Sequence, residues 1–369
     1  SSTGLRKQIA RRRGNNMWLS ILIGAMIGCG LLTMVVTGLA LLVNNFINNN
    51  TTVQDSSTPD SRSETTDPEA AATEEISTPS LSGQSGLVAP LEGQLIFFAD
   101  RDDKNGADDY EIYRLNLSNQ DEVQLTSDDS ANMNPAGSPD GQRIAFQSDR
   151  DGDFDIYSVN PMGGALMKVV QNQVDDVMPA WSPDGEWLAF ASDTRDDGAL
   201  DLFIVRPDGT DLRRVLTNER RNSSPRWSPD GQSLVFTTGD PTNASTWEIA
   251  ILDLTTERMR KLTENDVRDT WADFSPDGAS LVYITGSDGA TSIARLTVDS
   301  AREPDILYEG GEGEYIWSPH YSLDGSYIIF NAGTLEDAIG HVYVMKVDED
   351  EAGRQRLDVD KGLYASWLP

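Results

Sequence analysis

Apolar residues fall into two patterns along this chain. Residues 17–43 (MWLSILIGAMIGCGLLTMVVTGLALLV) run for 27 positions without a charge. From about residue 94 onward they come instead in short runs, such as Ile144-Ala145-Phe146, Leu188-Ala189-Phe190 and Leu234-Val235-Phe236. Polar segments rich in Gly and Pro separate these runs. The first pattern is that of a membrane-crossing helix, the second that of β-strands buried on both faces.

The short runs are periodic. SPDGQRIAF begins at Ser138, SPDGEWLAF at Ser182, SPDGQSLVF at Ser228, SPDGASLVY at Ser275 and SLDGSYIIF at Ser322, at spacings of 44, 46, 47 and 47 residues. A period in the forties with strands and turns inside each unit is the signature of a β-propeller. Within the phrase, Pro pre-sets φ for a turn, Ser and Asp bond nearby backbone, and Gly supplies the left-handed position. Each repeat reads as an inner strand ending at Trp or Phe, the turn, a second strand, a third such as Asp155–Val159, and a short outer strand such as Arg214–Thr217.

Second strands start near residues 94, 143, 187, 233, 280 and 327, which gives six blades of four strands. Inner strands end near 137, 181, 227, 274 and 321, one too few. The missing one stands at the far end of the chain, where Tyr364-Ala365-Ser366-Trp367-Leu368-Pro369 repeats the inner-strand pattern. The C-terminus is therefore expected to complete the blade begun at residues 94–126, which leaves no open sheet edge.

The Trp-Ser-Pro-Asp-Gly phrase, the Ile-Ala-Phe strand and Ser148-Asp149-Arg150-Asp151-Gly152-Asp153 together resemble the TolB-like propeller family. The resemblance covers about residues 92–369 and implies the fold. TolB itself carries an α/β domain before its propeller and is soluble in the periplasm. Here an apolar segment and a linker stand in that place, so TolB's partner is not carried over.

As a helix, residues 17–43 span roughly 40 Å, enough to cross a hydrocarbon core of about 30 Å. A secretory signal has an apolar core of only about 7–15 residues. Arg6, Lys7, Arg11, Arg12 and Arg13 precede the run with no acid among them. Residues 1–16 are therefore expected to form a short cytoplasmic tail, with the propeller on the extracytoplasmic or periplasmic side of the cytoplasmic membrane. Gly24 and Gly28 form a small-residue pair that would permit self-association of the helix. Residues 44–91, rich in Asn, Ser, Thr, Pro and acids, are expected to be a disordered stalk.

Net charge is −31, with 60 acids against 29 bases. That excess excludes a nucleic-acid footprint and leaves solubility or attraction of cationic partners. The only cysteine, Cys29, lies in the apolar run, and the only histidines are His320 and His341. With no Gly-x-Ser-x-Gly elbow, His320 reads as a packed inner-strand residue, and no enzyme is expected. Asp149, Asp151, Asp153 and Asp155 alternate around Gly152 and are the candidate Ca²⁺ ligands, although Asp and Gly are also ordinary turn formers. Asp100, Asp102, Asp103, Asn105, Asp108 and Asp109 cluster at the equivalent place of the first blade. No other cofactor is expected.

Loops leading into the inner strands surround one mouth of the channel, and loops on a rigid scaffold commonly carry binding residues. This points to Asp129, Asn132, Asp175, Asp176, Arg221, Asn222, Arg268, Asp269, Glu314 and Tyr315 as a partner-binding rim. The expectation is a membrane-tethered propeller that binds a protein or peptide without catalysis. Its alternatives are a ligand- or Ca²⁺-sensing ectodomain that regulates a partner complex, and a propeller enzyme.

Overall fold

The computed structural model describes residues 91–369 apart from 102–108, 195–198, 288–289, 301, 335–339, 348–353, 358 and 360. The expected tail, membrane helix and stalk lie outside the described residues, as do Asp102, Asp103, Asn105 and Asp108. Among the described residues no helix is long and apolar enough to cross a membrane.

Twenty-four strands form six four-stranded antiparallel sheets, one per blade. The first blade holds β1 (Gln94–Ala99), β2 (Glu111–Asn116) and β3 (Glu122–Gln124). The second holds β4 (Asn132–Gly137), β5 (Ile144–Ser148), β6 (Asp155–Val159) and β7 (Met167–Lys168). The third holds β8 (Asp176–Trp181), β9 (Leu188–Ser192), β10 (Asp201–Val205) and β11 (Arg213–Leu216). In the fourth are β12 (Arg221–Trp227), β13 (Ser233–Asp240), β14 (Asn243–Asp253) and β15 (Arg258–Lys261). The fifth has β16 (Arg268–Phe274), β17 (Ser280–Ser287), β18 (Ala290–Thr297) and β19 (Asp305–Glu309). The sixth has β20 (Glu314–Tyr321), β21 (Tyr327–Thr334), β22 (His341–Lys346) and β23 (Gln355–Arg356). Finally β24 (Leu363–Leu368) returns to pair antiparallel with β1, Gln94 opposite Leu368. The ring closes as the repeat pattern requires.

Local chemistry explains the turns. In the Ser138 turn the hydroxyl donates to Asp140 Oδ1 at 2.6 Å and accepts from Arg143 N–H at 2.9 Å. Gly141 closes the turn at φ +66°. The Ser182, Ser228, Ser275 and Ser322 turns repeat the serine–aspartate bond at 2.5–2.6 Å. These serine hydroxyls hold Asp140, Asp184, Asp230, Asp277 and Asp324 below the usual carboxylate range.

Blades are keyed to one another at two levels. The aromatic ends of the second strands, Phe97, Phe146, Phe190, Phe236, Tyr283 and Phe330, are all fully buried between sheets. Trp181 and Trp227 donate Nε1–H to the carbonyls of Ala136 and Ala180 in the preceding blade, at 3.0 and 3.1 Å. The turn glycines of the third to sixth blades each face the turn proline of the blade before, as Gly185 faces Pro139. Gly141 faces Pro369 instead, so the last residue fills the proline position for the first blade.

Each inner strand slips register once against its neighbour, as between Met133 and Ala136 in β4 and between Trp317 and His320 in β20. A residue of left-handed conformation sits at every slip: Asn134, Met178, Ser224, Trp271 and Ser318, with φ between 48° and 58°. Tyr364 in β24 holds the same position at φ 50°. Six bulges of this kind bend the inner strands around the axis and turn one side chain per blade toward it.

Candidate functional site

The ten expected rim residues separate by exposure once the loops fold. Asp129 is exposed, and Asp175, Arg221 and Glu314 are half-buried. Asn132, Asp176, Asn222 and Asp269 are fully buried, with Arg268 and Tyr315 nearly so. The buried residues of this expected partner-binding rim turn their side chains inward, away from the surface a partner would meet. The cause is a repeated turn. Asn132, Asp176, Asn222 and Asp269 each bond the side chain four residues before, Asp128, Asn172, Asn218 or Asn265, at 2.6–3.2 Å.

Carboxylates on the third strands secure the same loops. Glu111 accepts from Asp128 N–H at 2.6 Å and from Asn132 Nδ2 at 3.0 Å. Glu248 accepts from Asn265 N–H at 3.1 Å and from the Thr263 hydroxyl at 2.7 Å. Burial pushes Glu111 up to about 7 against these donors. Burial pushes Asp176 to about 7 as well, with Asp155 and Asp175 adding repulsion. Arg221 is pushed down to about 10 by burial, with Asp193 opposing the shift. The rim is thus built of loops whose inner halves are locked and whose tips, including Asp129, Arg220 and Glu312, are exposed.

Of the candidate Ca²⁺ ligands, Asp151, Asp153 and Asp155 bring carboxylate oxygens within 4.8 Å of one another. Asp149 does not join them; it accepts from Ala131 N–H at 2.8 Å. Lys168 places its ammonium 2.5 Å from both Asp151 and Asp155. A lysine from the outer strand therefore already meets the charge that a cation would neutralise. Nothing in the local sequence spacing announces it, because Lys168 lies 13 residues beyond Asp155.

A cavity of about 30 Å³ lies on the ring axis, lined by the six left-handed residues together with Arg226 and His320. It has room for a few waters or a small group, well below the 300 Å³ or more of an ordinary small-molecule pocket. Its wall is asymmetric. Of the residues two beyond each bulge (Ala136, Ala180, Arg226, Asp273, His320 and Ser366), Arg226 and His320 line the cavity, with Asp273 behind His320. His320 Nδ1 lies 3.4 Å from Asp273 Oδ2, which also accepts Tyr321 N–H at 3.1 Å. On the other ring nitrogen, His320 Nε2 lies 3.0 Å from Ser318 Oγ. Burial pushes the His320 imidazole below its ordinary range, and Arg226 adds to this while Asp273 opposes it. His320 is packed on the inner strand as expected, but its hydrogen-bonded neighbours were not anticipated.

Comparison with known proteins supports the architecture. The family "PD40: TolB beta propeller domain" matches residues 223–357. No curated protein sequence matches the chain. TolB from Acinetobacter baumannii superposes with a TM-score of 0.63 at 19% identity, over 76% of this chain and 68% of that one. A protein assigned as TolB from Agrobacterium tumefaciens gives 0.57 at 18%, over 75% and 92%. A puromycin-hydrolyzing peptidase of Mycobacterium tuberculosis gives 0.52 at 17%, over 76% of this chain but only 45% of its own. At such identities the likeness is one of fold, and the fold serves both TolB and an enzyme. Residues 223–357 are therefore similar to the TolB beta propeller domain, within a six-bladed ring whose fold is like that of TolB.

Proposed function

We propose that this propeller is a membrane-tethered, extracytoplasmic binding module whose rim, at the mouth where the inner strands begin, docks a protein or peptide. The observation that carries this reading is the rim itself. Its loops are locked from beneath by buried carboxylates and amides, so their charged tips are held in place before a partner arrives, which lowers the ordering cost of binding. The narrow axial cavity favours recognition across a surface over engulfment of a large ligand.

Because Asp176 and Arg268 are buried, charge reversal there would disturb the fold. The informative variant reverses exposed tips together: Asp129→Lys, Arg220→Glu and Glu312→Lys. Proteins that co-purify with the detergent-extracted wild type should be lost from this variant, with a Tm within about 2 °C of wild type. Undiminished co-purification would remove the rim from consideration.

The tether rests on the uncharged run at residues 17–43 and the basic residues before it. Protease added to spheroplasts should release a propeller-sized fragment by cutting within residues 48–90. A propeller that stayed protected while an extracytoplasmic marker was digested would reverse the orientation.

A further inference from the structure

Ser318 and His320 line the axial cavity, and Asp273 stands behind His320, in the order of a nucleophilic relay. With the Nδ1 proton of His320 facing Asp273, Nε2 is left as the acceptor for the Ser318 hydroxyl, and the two separations are 3.4 and 3.0 Å. Asp273 is fixed in turn by Tyr321 N–H at 3.1 Å. Apo relays are commonly this loose and tighten when a reacting group arrives. Ser318 also sits on a bulge with φ +53° and is followed by Pro319. The same bulge recurs in every blade, and in this one it turns Ser318 toward the cavity. The relay spans two blades, because Asp273 comes from β16 and the Ser–His pair from β20.

Two further features fit chemistry better than packing. Arg226 is the only cation lining the cavity, and its one hydrogen bond is from Nη1 to the Pro225 carbonyl, at 3.1 Å. It stands where it could stabilise negative charge developing beside Ser318. The rest of the lining is partly apolar and aromatic, with Trp271 edge-on to Tyr364 at 6.0 Å and Met178 also facing the cavity. With Arg226 and Asp273 offsetting each other, this space suits a small uncharged group.

We propose that Ser318 is a nucleophile toward small uncharged esters and sulfonyl halides, with His320 as its general base and Asp273 as the residue that positions His320. In the ester reaction Ser318 Oγ bonds the acyl carbon while its proton passes to His320 Nε2. The C–O bond of the ester breaks, and His320 returns the proton to the leaving alcohol. Water then repeats the sequence on the acyl-serine, releasing the acid and restoring the hydroxyl. No redox partner or metal enters the balance. This activity is separate from partner docking at the rim, and either can fail without the other.

The test uses methanesulfonyl fluoride on the full chain in detergent, read by intact mass and peptide mapping. Oγ attack on sulfur expels fluoride, so one adduct at Ser318 is expected, formed more slowly as pH falls and His320 becomes protonated. Ser318→Ala should abolish it, and His320→Gln should slow it by about 100-fold or more. Ser366→Ala, in the neighbouring blade, should leave it unchanged. Asp273→Asn should both slow labelling and move its pH midpoint downward, since the lost carboxylate no longer favours the imidazolium; a purely structural role would not move the midpoint. An unmodified Ser318, under conditions that fully label an added serine protease, would overturn the proposal without any variant having to fold. So would an adduct that forms at wild-type rate in His320→Gln.

Discussion

A chain cut after Gly362 or Leu363 is expected to lose at least 10 °C in Tm and to self-associate. Removing Tyr364–Pro369 strips the closing strand from β1, so the backbone of Gln94–Ile96 loses the partners it has in Ser366–Leu368. It also takes out Leu368 and Ala365, both buried, and the Tyr364 ring stacked on Phe98 at 5.3 Å. A single buried leucine truncated to alanine costs about 2–5 kcal/mol. Adding the other contacts and the lost pairing brings the total to the order of the whole stability of a typical domain, about 5–15 kcal/mol. The exposed β1 would then offer an open edge to another copy. Thermal melting with size-exclusion chromatography measures both effects, and a truncated chain that melted as a monomer near the wild-type temperature would refute this account of closure.

Asp176→Asn is expected to stabilise the protein at pH 8 by on the order of 2–4 kcal/mol, by roughly half as much at pH 5, and to change little only below about pH 4. The carboxyl is fully buried and its folded pKa is raised by burial to about 7, from an ordinary value of 3.8. A raised acid pKa means that the folded state holds its proton more tightly than the unfolded chain. The stabilisation is therefore fully present below the unfolded pKa and is lost as pH rises through about 7. At about 1.4 kcal/mol per unit, the cost of ionising this buried group at pH 8 gives the stated gain. Asparagine is tolerated at this place: Asn132 and Asn222 occupy it in the second and fourth blades and donate to the residue four before, whereas Asp176 accepts from Asn172. Wild type should lose stability from pH 5 to 8, and Glu111, raised to about 7, should contribute in the same direction. Urea titrations at the two pH values decide the matter; equal pH slopes for wild type and variant would show that Asp176 titrates normally.

The propeller could be read from the chain because its determinants are local and repeated. Ser138, Pro139, Asp140 and Gly141 build their turn almost entirely from one another, and four later copies do the same. The inner strands end where the repeat alignment places them, at Gly137, Trp181, Trp227, Phe274 and Tyr321. The candidate site was less legible, since loop position indicates neighbourhood but not exposure. Asp176 and Asn222 belong to loops around the mouth, yet both turn inward. The signal that could have revealed this is the paired spacing Asn172/Asp176, Asn218/Asn222 and Asn265/Asp269, which marks side chains bonding within a turn. Asp273 and His320 stand 47 residues apart, which is one repeat, so the alignment itself places them side by side on adjacent blades. What no spacing could supply is the rotamer that aims His320 at both Asp273 and Ser318. Lys168 reached the Asp151–Asp155 cluster by the same kind of tertiary approach.

The joining of β24 to β1 also carries a kinetic consequence. Gln94 meets Leu368 across roughly 270 residues, so this ladder links segments made far apart in synthesis. Contacts of such long range slow folding, because the chain must give up loop entropy before any pairing energy is returned. Until residues 363–368 have emerged from the ribosome, β1 stands as an unsatisfied template strand, and the nascent chain is at its most vulnerable to pairing with a neighbour. Vectorial synthesis thus leaves this protein a waiting period of about 14–55 s, at the usual 5–20 residues per second, during which any protective factor would have to act on β1.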